Sequence, residues 1–202
     1  MSRDFKRLDI IRKLGSERFH LGNRQLSYDL LGFWQWCSSD LVDNLMRGVL
    51  AEYIVALDLG VADTTRVQWD PYDLRTKQGV KIEVKSAAYL QSWAQGRRSK
   101  VSFDVRPTYA WDAETNAFDT ELKRQAHVYV FAFLKHEDKT TLDPLDLAQW
   151  DFYVLRATIL DERVPSQNRI SLGTLQKLGP LRVGFGGISS AIEAISQDIQ
   201  GI

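Results

Sequence analysis

The chain has 202 residues, 44% hydrophobic and 26% charged, which suits one globular unit and excludes collagen-like, low-complexity and disulfide-dense classes. Its formal net charge is zero, which argues against a protein that coats nucleic acid by charge alone. The single cysteine, Cys37, excludes an internal disulfide and points to a reducing compartment. The polar N-terminus MSRDFKRLDIIRKLG lacks a signal-peptide core, and no run approaches the roughly 18 apolar residues of a membrane span. A cytoplasmic protein is expected.

Taken in order, residues 4–14 carry Phe5, Leu8, Ile11 and Leu14 at helical spacing and predict a short helix. Residues 27–37 (SYDLLGFWQWC) read as an aromatic-rich helical or irregular segment. The clearest helix follows in SSDLVDNLMRGVLAEYIVALDLG, with Ser39 or Asp40 as N-cap and Gly60 as terminator. Leu45, Val49 and Ala56 mark its apolar face, and Glu52 projects from that same face. An unpaired charge among inward-pointing residues is costly, so Glu52 is either a functional group or an edge residue paired with an arginine.

Strands come next. Residues 72–75 and 80–85 form a hairpin. AAYLQSW and KVSFDVR, flanking the loop AQGRRS, form a second hairpin or extend the first. HVYVFAFL (127–134) reads as a central strand buried on both faces, and DFYVLRATIL (151–160) as another. A short helix starts near Ser171 and a C-terminal helix near Ser189. Helix, then strands, then helices predicts an α/β domain with a central mixed sheet flanked by helices, one domain over 1–202 with its core at about 40–160.

The hairpin YDLRTKQGVKIEVK carries the sharpest signal. An acid-x-Lys triplet occurs four times in the chain, but only Glu83-Val84-Lys85 lies in a strand pattern. There Val80, Ile82 and Val84 alternate with Lys81, Glu83 and Lys85, so Glu83 and Lys85 share one face. A three-residue loop Lys77-Gln78-Gly79, glycine in the left-handed position, pairs Thr76 with Val80 and sets Asp73 opposite Glu83. A two-residue loop would instead send Asp73 to the other face. Opposed carboxylates repel unless a hard cation sits between them. Mg²⁺ takes such oxygen ligands, and Lys85 on the same face can hold a water and offset charge on a phosphate.

Glu52 on a helix, then Asp73, then Glu83-Val84-Lys85 after a hairpin, resembles the PD-(D/E)XK nuclease superfamily, also called restriction-endonuclease-like. Pro71-Tyr72-Asp73 departs from the proline-aspartate pair of that name. The resemblance covers about residues 40–160 and implies a Mg²⁺-dependent nuclease, Mn²⁺ being an alternative ion, that hydrolyses DNA phosphodiester bonds. It implies Asp73 and Glu83 as principal metal ligands, Glu52 as an auxiliary ligand, Lys85 as the group that positions water, and Gln91 as a further site residue.

Charge distribution fits such a substrate. From Asp73 to Arg106 eight basic residues face three acidic ones, as expected of a local polyanion site or of a solvated hairpin surface. Trp93, Arg97, Arg98 and Lys100 are the candidate nucleic-acid contacts. No segment reads as a base-reading domain, so sequence-specific cleavage needs one that the sequence does not reveal, or else a homodimer or a partner subunit. The alternative reading is a non-catalytic nucleic-acid-binding or protein-interaction module that keeps the fold. His20, His127 and His136 match no zinc spacing, no P-loop or nucleophile elbow is present, and GFGGIS (184–189) reads as a turn before the last helix.

Overall fold

A computed structural model describes residues 7–197. Strands β1 (Arg18–Leu21) and β2 (Arg24–Asp29) form an antiparallel hairpin that runs directly into helix α1 (Leu30–Ser38). Asp29 caps α1 by accepting the Gly32 amide at 2.9 Å. The helix expected over 4–14 is not formed in residues 7–14, and its first residues, 4–6, lie outside the described residues. Leu8, Ile11 and Leu14 are all largely exposed, so no core rewards helix formation there. The Glu17 carboxylate instead accepts the Leu14 and Gly15 amides.

Helix α2 (Asn44–Asp58) begins later than expected. Its cap is Asp43, which accepts the Leu45 amide at 2.9 Å. Asp40 spends its oxygen on the amides of Val42 and Asp43 in the preceding turn. Gly60, at φ +64°, ends the helix as expected. The Val61 amide reaches the Ala56 carbonyl and the Gly60 amide reaches Leu57, a pairing that satisfies two terminal carbonyls.

Strands β3 (Leu74–Arg75) and β4 (Lys81–Ala88) make the predicted hairpin. They are followed by β5 (Ser102–Asp104), β6 (Thr108–Asp112), β7 (Ala117–Lys123), β8 (Val128–Leu134) and β9 (Trp150–Arg156). Helix α3 (Ala157–Arg163), β10 (Arg169–Ser171), α4 (Leu172–Lys177), β11 (Leu181–Val183) and α5 (Ile188–Ser196) complete the chain. The strand expected over 151–160 therefore stops at Arg156, and its second half is helical. A continuous apolar run does not distinguish the two states by periodicity, and here Ala157 and Leu160 turn inward from a helix.

The central sheet is mixed, in the order β11-β9-β8-β4-β3, with β4 and β8 parallel and the other pairs antiparallel. The fold is α/β, as expected. Every residue of β8 is buried, as a central strand requires. Its Val128, Val130, Ala132 and Leu134 pack with Ile54 and Val55 of α2 and Ile188 and Ile192 of α5. On the opposite face Tyr129, Phe131 and Phe133 pack with Phe103, Leu160, Ile170 and Leu175.

The second hairpin takes a different form. AAYLQSW continues β4 to Ala88, while KVSFDVR supplies β5, which pairs with β10. The β6–β7 pair is a separate hairpin, with β7 exposed throughout and Trp111 packed edge-to-face on Trp69 at 6.0 Å. Helix α5 starts one residue before Ser189, and its amides are capped from α2: Asp58 accepts from Ser189 at 2.9 Å and from Gly186. Among the described residues no helix is long and apolar enough to cross a membrane.

Candidate active site

The β3–β4 turn has the register the three-residue loop requires. Thr76 donates its amide to the Val80 carbonyl at 2.9 Å, Arg75 pairs with Lys81, and Leu74 pairs with Ile82. Gly79 sits at φ +91°, a region where a side chain is strained, so glycine fixes this loop. Because β3 is only two residues long, β4 has no β3 partner from Glu83 onward. Asp73 stands at that point: its amide donates to the Ile82 carbonyl at 3.0 Å, and its Oδ2 accepts the Val84 amide at 2.7 Å.

Alternation along β4 is also as expected. Ile82 and Val84 are buried against α2, while Glu83 and Lys85 face the other way, in register with Tyr129 and Phe131 of β8. The Lys85 ammonium donates to Glu83 Oε1, and both side chains are mostly covered, 29% and 19% exposed. Burial alone would lower the Lys85 pKa. Glu83, with Asp73 and Asp104, outweighs burial and raises it, so the ammonium stays charged.

Asp73 behaves in the opposite sense. Burial, then the nearby charges of Glu83 and Glu52, push its carboxyl up to about 7, against the Val84 amide and Lys85, which favour ionisation. Two carboxylates and a lysine are thus brought together in a partly buried place that is short of positive charge. The neighbouring Tyr129 hydroxyl is raised as well, by burial first and Glu83 second.

Glu52 approaches from α2, but the inward face of that helix differs from the expected one. Leu45 is 72% exposed, and the buried positions are Arg47, Ala51, Ile54, Val55 and Ala56. Glu52 lies at the edge of this face, its side chain 12% exposed, and both its oxygens are taken by Arg66. The Arg66 Nε donates to Oε2 and Nη2 to Oε1, the latter at 2.9 Å. Arg66 and Asp73 share the wall of a cavity of about 380 Å³ formed by residues 60–77.

Gln91 does not turn toward the carboxylates. It is buried, accepts from Arg47 Nη1 at 3.3 Å and donates to Ser99 Oγ at 3.2 Å. Arg47 also donates to Ser86 Oγ at 3.2 Å, Asn44 Oδ1 at 2.7 Å and the Val42 carbonyl at 2.9 Å. Gln91 therefore ties the loop after β4 to α2. In that loop Trp93 is half exposed, Arg98 pairs with Glu137 at 2.6 Å, and the side chains of Arg97 and Lys100 have no partner among the described residues.

Sequence reasoning missed Arg66 and Asp104. Asp104 was legible in principle, since Val101, Phe103 and Val105 are buried in alternation with Ser102 and Asp104. Arg66 lies between α2 and β3 in a segment with no periodicity, so no sequence signal marked it.

Residues fit a divalent cation in a limited way. Among the described residues no three His, Cys, Asp or Glu side chains converge as a metal cluster. Mg²⁺ is commonly bound by only one or two carboxylates plus water and phosphate oxygens, and Asp73 with Glu83 supplies that number. Burial first, and then the charges of Glu83 and Glu52, raise the Asp73 carboxyl, and a cation held by Asp73 and Glu83 would favour its ionised form.

No curated protein and no solved structure matches the chain. A family model does match, over residues 33–169, a span that holds Glu52, Arg66, Asp73, Glu83 and Lys85 and leaves β1, β2, α4, β11 and α5 outside. The chain belongs to the bacteriophage T4 endonuclease IV family, a family of nucleases.

Proposed function

We propose that this chain is a Mg²⁺- or Mn²⁺-dependent endonuclease that hydrolyses DNA phosphodiester bonds with a restriction-endonuclease-like site. The observation that carries this reading is the union of Asp73, Glu83 and Lys85 at the unpaired edge of β4, in a chain of an endonuclease family. Asp73 and Glu83 would hold the cation, and Glu52, whose oxygens Arg66 holds in this structure, would join them as a third ligand only on release from Arg66. The ion supplies Lewis acidity toward phosphate and a lowered water pKa.

Lys85 is kept charged by Glu83, so it acts as a hydrogen-bond donor rather than a base. It orients the attacking water and offsets negative charge that builds on the phosphoryl oxygens. Water oxygen bonds to phosphorus, the bond from phosphorus to one sugar oxygen breaks, that oxygen takes a proton from solvent and leaves as a hydroxyl, and the proton lost by the attacking water passes to solvent. Arg97 and Lys100 lie free on the loop after β4, suited to backbone phosphates, which position a strand without reading its bases.

Single-turnover cleavage of a DNA oligonucleotide in Mg²⁺ tests this. Replacing Lys85→Ala should slow cleavage about 100-fold with little change in oligonucleotide binding. An unchanged rate contradicts the assignment. Binding by both proteins with cleavage by neither makes the chain a non-catalytic binding module.

A further inference from the structure

The bidentate grip of Arg66 on Glu52 stands out among the charges of the site. A guanidinium fork matches a carboxylate and a phosphate in the same planar geometry, and one fork serves only one of them at a time. Arg66 is also close enough to Asp73 for their charges to interact. Its side chain is 40% exposed and it lies in a segment without helix or strand, so it can turn without disturbing the core.

We propose that Arg66 exchanges between Glu52 and the substrate. In the metal-free protein it is the counter-ion of Glu52. When a divalent cation takes Glu52, the released guanidinium turns to a backbone phosphate in the cavity it shares with Asp73. This rests on the metal-dependent nuclease reading and adds to it a residue that touches substrate and couples metal binding to phosphate binding.

Competition for Glu52 has a consequence of definite sign. Any group that must leave a ligand before metal binds weakens the metal, so removing Arg66 strengthens metal binding. A purely structural pin would do the reverse, since loosening residues 61–72 would scatter the ligands.

Mn²⁺ binding to the metal-free protein without DNA, followed by electron paramagnetic resonance of the free ion, separates the two. Arg66→Gln is expected to bind Mn²⁺ about three- to tenfold more tightly than the parent. At saturating Mn²⁺ it is expected to cleave a DNA oligonucleotide about 100-fold more slowly. Arg66→Lys, which keeps the charge but loses the fork, should fall between on both readouts, and it carries the same test if Arg66→Gln does not fold. Equal or weaker Mn²⁺ binding by the folded variants, with normal binding by the parent, overturns the exchange and leaves the nuclease reading standing. Absence of Mn²⁺ binding by parent and variants alike overturns both.

Discussion

Asp73 accepts the Val84 amide at 2.7 Å, and that bond joins the first carboxylate of the site to the strand bearing Glu83 and Lys85. A side-chain oxygen here takes the place of a missing ladder carbonyl, because β3 ends at Leu74 on this side. The bond holds Asp73 against Glu83 at the expense of electrostatic repulsion. Local backbone satisfaction and site assembly are therefore one feature.

This arrangement gives the metal-free protein a pH-dependent stability. The Asp73 carboxyl titrates near its ordinary 3.8 when unfolded and at about 7 when folded. Between those values the folded state holds a proton that the unfolded state has lost, so stability falls as pH rises from about 4 to 7 and then levels. Asp73→Asn keeps an oxygen for the Val84 amide and removes the titration. Calorimetric Tm values measured across pH 4.5–8 in chelator should show a smaller decline for this variant than for the parent, whereas parallel curves would sink the prediction.

A second prediction concerns Arg47, 4% exposed and bonded to Ser86, Asn44, Gln91 and the Val42 carbonyl, with no ion pair among the described residues. Burial lowers its pKa, with Asp43 opposing. Truncation leaves several buried polar partners unsatisfied, so Arg47→Ala should lower unfolding free energy in urea by about 3 kcal/mol. The loop containing Arg97 and Lys100 should also gain hydrogen-exchange rate, since Gln91 loses its anchor on α2. A loss below about 1 kcal/mol would show that the network is not a structural tie.

Much of the core and of the hairpin was legible because each rested on a strong local rule. The run VYVFAFL is apolar at every position and became the strand buried on both faces. Gly79 fixed the loop length, and the loop length fixed Asp73 beside Glu83. Where two rules competed, the sequence was ambiguous. Asp40 and Asp43 are both competent caps, and only the turn geometry assigned Asp43 to α2. Leu8, Ile11 and Leu14 have helical spacing, but spacing without a partner surface forms nothing. The Arg66–Glu52 pair joins residues fourteen apart through a loop, a contact set by the path of residues 61–72 rather than by any pattern within them.

A divalent cation held by Asp73 and Glu83 should stabilise the folded chain, and the Mg²⁺-induced shift in Tm reads this without relying on cleavage. Asp73→Asn with Glu83→Gln is the informative variant, because both changes keep shape and the Val84 hydrogen bond while removing charge. At ten times the Kd of the parent, Mg²⁺ should raise its Tm by about 3–5 °C and leave the double variant unmoved. Equal shifts in the two proteins, or none in the parent, would contradict the account.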